Sequence, residues 1–138
     1  MPNAAAQTPP PAPSFCTLVQ AFFAEYLIEQ RALSPHTVAA YRDAFLLFLA
    51  FAEVRLSKSP ADLSLADITS ELLLAFLDHL EQERHNTVRS RNARLAALRA
   101  FLKFASHRDL SALHTLEQAL GVPMKRFERP IQIGRAHV

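Results

Sequence analysis

With 138 residues, half of them apolar and a fifth charged, the chain is sized and balanced for one folded globular domain rather than a disordered polymer. Its two glycines, Gly121 and Gly134, argue against a sheet protein with hairpin turns and exclude a glycine-rich phosphate loop. The single cysteine, Cys16, excludes an internal disulfide and speaks against a Cys-based zinc site, and the longest apolar run, residues 44–52, is far too short to cross a bilayer.

The formal net charge is only +2, but its distribution is uneven. Six acids (Asp62, Asp67, Glu71, Asp78, Glu81 and Glu83) occupy residues 60–83 without a Lys or Arg. Seven bases (Arg84, Arg89, Arg91, Arg94, Arg99, Lys103 and Arg108) follow over residues 84–108 without an acid. Adjacent segments of opposite sign predict a domain with an acidic side and a basic side.

Residues 1–13 hold five of the nine prolines and read as a disordered tail. They show neither a basic n-region nor an apolar h-region, so no signal peptide is expected and a cytoplasmic location follows. Ser14 is a cap for a first helix over residues 15–31, whose Phe15, Leu18, Val19, Phe22, Phe23, Tyr26 and Leu27 keep helical spacing. Ser34-Pro35 opens a second, to about residue 54, with Val38, Tyr41, Phe45, Phe48, Leu49 and Ala52 on one face. Residues 56–68 read as a connector. A third helix spans 70–84 with Leu72, Leu73, Phe76, Leu77 and Leu80 inward. Asn86 or Thr87 caps a fourth, to about residue 106. A fifth, over 110–120, is expected to stop with Gly121 at C′ and Pro123 beyond. No internal repeat is visible. The pattern is all-α.

On the fourth helix, with 100° per residue, Val88, Leu98, Leu102 and Ala105 fall within about 80° of Leu95 and define a buried stripe. Arg89, Asn92, Ala96, Arg99 and Lys103 form a second line, with small Ala96 allowing close approach of a partner. Arg and Lys supply donors for phosphate oxygens, Arg grips guanine edges, and Asn reads adenine or binds phosphate. The ordinary alternative is a solvated polar face, but such faces usually mix both signs.

Two further patterns carry a resemblance. Residues 22–51, FFAEYLIEQRALSPHTVAAYRDAFLLFLAF, contain Tyr26-Leu27, then Leu33-Ser34-Pro35-His36-Thr37, then Tyr41-Arg42 followed by Phe45 and Phe48. Residues 87–101 run Thr-Val-Arg-Ser-Arg-Asn-Ala-Arg-Leu-Ala-Ala-Leu-Arg-Ala-Phe. In this order the two resemble the core-binding domain of Xer-type tyrosine recombinases, of the phage integrase family, over about residues 15–130. The resemblance implies a four-helix SAM-like orthogonal bundle with a short fifth helix, forming one jaw of a clamp on double-stranded DNA. Carried over by position, the implied DNA contacts are His36, Thr37 and Arg42 on the second helix. On the fourth they are Thr87, Arg89, Arg91, Asn92, Arg99 and Lys103. Thr37 and Thr87 have helix capping as their alternative role, and Arg42 an ion pair. Tyr26 and Tyr41 sit on apolar faces and read as core.

The resemblance also implies a C-terminal catalytic domain beyond this chain, and other recombinase protomers as partners on DNA. Residues 14–121 would be the DNA-binding domain and 122–132 the inter-domain linker, with Lys125 and Arg126 passing along the DNA backbone. No cofactor is expected, and His36, His79, His85, His107, His114 and His137 show no metal-ligand spacing. Residues 133–138, IGRAHV, match what a sequencing adapter encodes in one frame and read as a non-native tail on a truncated reading frame. The competing reading is a stand-alone helical protein-interaction module, whose binding would resist salt where DNA binding would not.

Overall fold

The chain is described by a computed structural model over residues 14–126; the Pro-rich tail, the end of the expected linker and the IGRAHV tail lie outside the described residues. Ser14 is extended, and its hydroxyl accepts the Thr17 amide at 3.1 Å, opening α1 (Phe15–Ala21). The single helix expected over 15–31 changes winding partway. Phe22–Gln30 is π-helical, and Arg31 donates to the Tyr26 carbonyl five residues back. This winding stacks Phe22 on Tyr26, with centroids 5.6 Å apart, while Phe22 itself is fully buried.

Ser34 and Pro35 open α2 (Pro35–Leu56) as the sequence predicts, with the Ser34 hydroxyl accepting the Thr37 amide at 3.2 Å. Val38, Phe45, Phe48 and Ala52 are buried, and Tyr41 and Leu49 pack half-buried against the core. The connector contains two 3-10 turns, Pro60–Asp62 and Leu65–Asp67. Asp67 secures the second by accepting the Ser64 amide at 2.9 Å and pairing with Lys58 at 2.9 Å. Burial pushes the Asp67 carboxyl up, but the hydrogen bond from Lys58, the Ser64 amide and the Lys58 charge outweigh it, leaving its pKa below the usual 3.8.

Thr69 caps α3 (Ser70–Gln82), and all five residues expected to point inward are buried. Thr87, rather than Asn86, caps α4 (Val88–Ser106). The last helix, α5 (Ala112–Leu120), starts two residues later than its apolar spacing predicts. Its end also differs from expectation. Gly121 has φ −73° and does not adopt the left-handed conformation of a C′ glycine. The α5 carbonyls are met instead by a side chain from α4, described below.

Because glycine is scarce, other residues take left-handed conformations where helices close: Ala32 (φ 48°), Ser57 (φ 55°) and His85 (φ 56°). After Ala32, Leu33 donates to the Leu27 carbonyl at 3.0 Å. After His85, Asn86 donates to Leu80 at 2.9 Å. Both bonds reach six residues back, one residue further than the six-to-one bond of a Schellman closure.

The central element is α4, which packs on α2, α3, α5 and the π-helical segment. The bundle is all-α, with no strand among the described residues, and no helix among them is long and apolar enough to cross a membrane.

Two outcomes are expected from stability measurements. Ala32→Gly removes a left-handed alanine and stabilises the fold by roughly 0.5–1 kcal/mol, read as a rise in Tm of a few degrees. Asp67 has a depressed folded pKa, so its contribution is present above the unfolded value of 3.8 and is lost as pH falls through the folded value. Asp67→Asn is therefore less stable than wild type at neutral pH, and the two denaturation midpoints converge in acid.

Candidate nucleic-acid interface

Helix α4 is wrapped over a wider arc than its apolar stripe suggests. Besides Leu95, Leu98, Leu102 and Ala105, it buries Arg91, Ala97, Phe101 and Phe104, while Val88 is only half-buried. Phe101 meets Phe15, Phe22 and Phe45 edge-on at 5.5, 5.6 and 5.3 Å. The N-terminal half of α2 thus lies against the C-terminal half of α4, with Phe22 bridging Tyr41 and Phe104.

The polar line opposite this core divides. Arg89, Ala96 and Lys103 are exposed; Asn92 and Arg99 are half-buried. Arg99 turns onto α5, donating from Nε to the Ala119 carbonyl at 3.2 Å and from Nη2 to the Leu120 and Val122 carbonyls. It therefore satisfies carbonyls that a helix end leaves orphaned. Burial, and then the nearby charge of Arg91, lower the Arg99 pKa from the usual guanidinium value.

Arg91 is only 3 % exposed. Its Nη1 donates to the Asn92 side chain and to the Pro123 carbonyl, both at 2.9 Å. Its Nε makes no hydrogen bond and lies 3.7 Å from Glu81, a long electrostatic contact. Asn92 exchanges two bonds with the backbone of Lys125, donating to its carbonyl at 2.7 Å and accepting its amide at 2.9 Å. Lys125 Nζ closes on Glu81 at 2.8 Å. Of the residues carried over as DNA contacts, Arg91, Asn92, Arg99 and Lys125 are thus engaged within the chain. Thr87 is the α4 cap, its hydroxyl accepting the Ser90 amide at 3.1 Å.

Arg89 and Lys103 are exposed. His36 and Arg42 are exposed near the start of α2, and neither side chain has a hydrogen-bond or ion-pair partner among the described residues. Thr37 is half-buried and bonded to Ser34 at 3.1 Å. Arg126 is exposed. At the far end of α4, Arg108 stacks over Phe104 at 4.7 Å and pairs with Glu25 at 3.3 Å, fastening α4 to the π-helical segment. No group of three or more His, Cys, Asp or Glu among the described residues is placed to hold a metal.

The fold is an all-α helical bundle built around one central, acid-free helix. The chain belongs to the phage integrase N-terminal SAM-like domain family, whose model matches residues 20–109. It is 41 % identical over 118 residues to a candidate integrase/recombinase, y4rC, of Sinorhizobium fredii (strain NBRC 101917 / NGR234), and 42 % identical over 109 residues to y4rD of the same strain and description. These alignments cover 86 % and 79 % of the chain but only 36 % and 39 % of those relatives. No solved structure gives a significant match.

The residue that sequence reasoning missed is Glu81, which receives both Arg91 and Lys125. Nothing in its neighbourhood along the chain marks it. Arg91 was legible: four residues before Leu95, it lies within about 40° of the buried stripe. Removing its side chain leaves the Pro123 carbonyl without its donor and a cavity beside Glu81. Arg91→Ala is expected to destabilise the fold by about 3 kcal/mol in urea unfolding, whereas Lys103→Ala shifts the midpoint little.

Proposed function

We propose that this chain is the DNA-binding domain of a site-specific recombinase and that it contacts duplex DNA through the outer edge of α4 and the start of α2. The observation that carries the reading is the exposed Arg89–Ala96–Lys103 line on a helix with no acidic residue, in a chain that belongs to an integrase N-terminal domain family. Arg89 and Lys103 are separated by fourteen residues of α-helix, about 21 Å of rise. That distance exceeds the roughly 12 Å width of the major groove, so the two cations reach phosphates on both walls while Ala96 lets the backbone sit close.

His36, Thr37 and Arg42 supply a second set of donors from the start of α2, and Arg126 a further cation where the described chain ends. Thr87 is assigned to the α4 cap, and Arg91, Asn92, Arg99 and Lys125 to the framework that ties the outgoing chain to α4 and α3. The parent protein, on this reading, carries its strand-cutting chemistry in a following catalytic domain, works with further protomers on DNA, and acts in the cytoplasm. The length of the relatives supports this, since the chain spans less than two-fifths of each.

A second reading has its own observation. Leu47, Ala50, Phe51 and Val54 line an open groove of about 370 Å³ beside His79, and Leu46 and Val54 are 59 % and 82 % exposed. An apolar surface of this kind suits a protein partner.

Fluorescence anisotropy with duplex DNA across a salt series separates the two. Each phosphate contact contributes about 0.9 to the slope of log affinity against log salt, so Arg89→Gln/Lys103→Gln is expected to flatten it by nearly 2. A folded chain that shows no binding at low salt supports the protein-interaction reading instead.

A further inference from the structure

Three side chains of α4 bond to the backbone of the segment after α5. Arg99 holds the Val122 carbonyl, Arg91 the Pro123 carbonyl, and Asn92 both backbone groups of Lys125. Val122 is held at Arg99, whereas Pro123 and Lys125 are both held at residues 91 and 92, nearer the N-terminal end of α4. Seven residues of α-helix rise about 10 Å, so the exit segment is gripped at two places about that far apart along the helix.

We propose that Arg91, Asn92 and Arg99 are positioning residues that clasp the outgoing chain against α4 and direct whatever follows residue 126 from the N-terminal end of that helix. The assignment stands apart from DNA binding and does not depend on it. Three features distinguish a clasp from incidental packing. First, the bonds from α4 to residues 122, 123 and 125 are all to backbone atoms, so the grip of α4 is on chain path and not on side-chain identity. Second, Asn92 pairs with Lys125 as a neighbouring strand would, satisfying an amide and a carbonyl together. Third, Arg91 is buried and both of its bonded partners, Asn92 and Pro123, belong to the clasp.

The physical consequence is a fixed point of departure. A tether free from Gly121 onward samples a wide cone, whereas one held at Lys125 leaves from a single place on the α4 surface. A following domain then starts in a defined orientation relative to α4 instead of searching for it, which lowers the entropy it loses on docking.

The Lys125 amide is bonded to Asn92, whereas the Met124 and Arg126 amides have no partner among the described residues, which provides an internal control. Amide exchange measured by NMR on the full chain without DNA is expected to show Lys125 slowed about tenfold relative to its two neighbours. Lys125→Ala retains that protection, because the clasp grips backbone. Asn92→Ala abolishes it while the amides of the α4 core keep theirs, which separates release of the exit segment from unfolding. The proposal is overturned if wild-type Lys125 exchanges as fast as Met124 and Arg126, or if it stays protected in Asn92→Ala.

Discussion

Everything in this bundle depends on the burial of α4, and that burial is organised by Phe101. Its ring meets Phe15 from α1, Phe22 from the π-helical segment and Phe45 from α2. Edge-on aromatic contacts favour particular orientations, so three elements distant in sequence are fixed against one helix with little freedom to slide. Phe48 and Phe76 extend the same packing to α3, with centroids 5.2 Å apart. The π-helical winding belongs to this constraint, because it is the stretch in which fully buried Phe22 sits among six other aromatic rings, those of Phe23, Tyr26, Tyr41, Phe45, Phe101 and Phe104.

A helix enclosed on most sides has little surface left for a ligand, and α4 divides what remains. Its outer edge carries Arg89, Ala96 and Lys103. The flank toward α5 carries Arg91, Asn92 and Arg99, whose donors go to backbone carbonyls between residues 119 and 125. The two groups are interleaved in sequence and alike in composition. They separate because a rotation of a few tens of degrees about the helix axis decides whether a side chain faces solvent or the exit of the chain. Guanidinium and carboxamide groups suit either role, since both bond as readily to a carbonyl as to a phosphate oxygen.

The scarcity of glycine shapes the helix ends. Ala32 and His85 close their helices in left-handed conformations, and at the end of α5, where Gly121 stays right-handed, Arg99 adds donors to the last carbonyls. Arg99 thereby couples the integrity of α5 to the centre of the bundle. Its partly buried charge is met by the carbonyls of Ala119, Leu120 and Val122.

Local chemistry determined much of this fold directly. Ser14, Ser34 and Thr87 each cap the helix that the pattern of polar and apolar residues predicts, because a hydroxyl one position before a helix meets the same orphan amides in any protein. The inward residues of α3 were legible for a similar reason: helical period alone assigns them to one face. Tertiary structure decided what periodicity does not encode. It set the π winding after Ala21, the breadth of α4 burial and the partnership of Glu81 with Arg91 and Lys125. It also turned Arg91, Asn92 and Arg99 onto the outgoing chain, since a donor's partner depends on which acceptor the fold brings within about 3 Å, and those acceptors lie twenty to thirty-three residues away along the sequence.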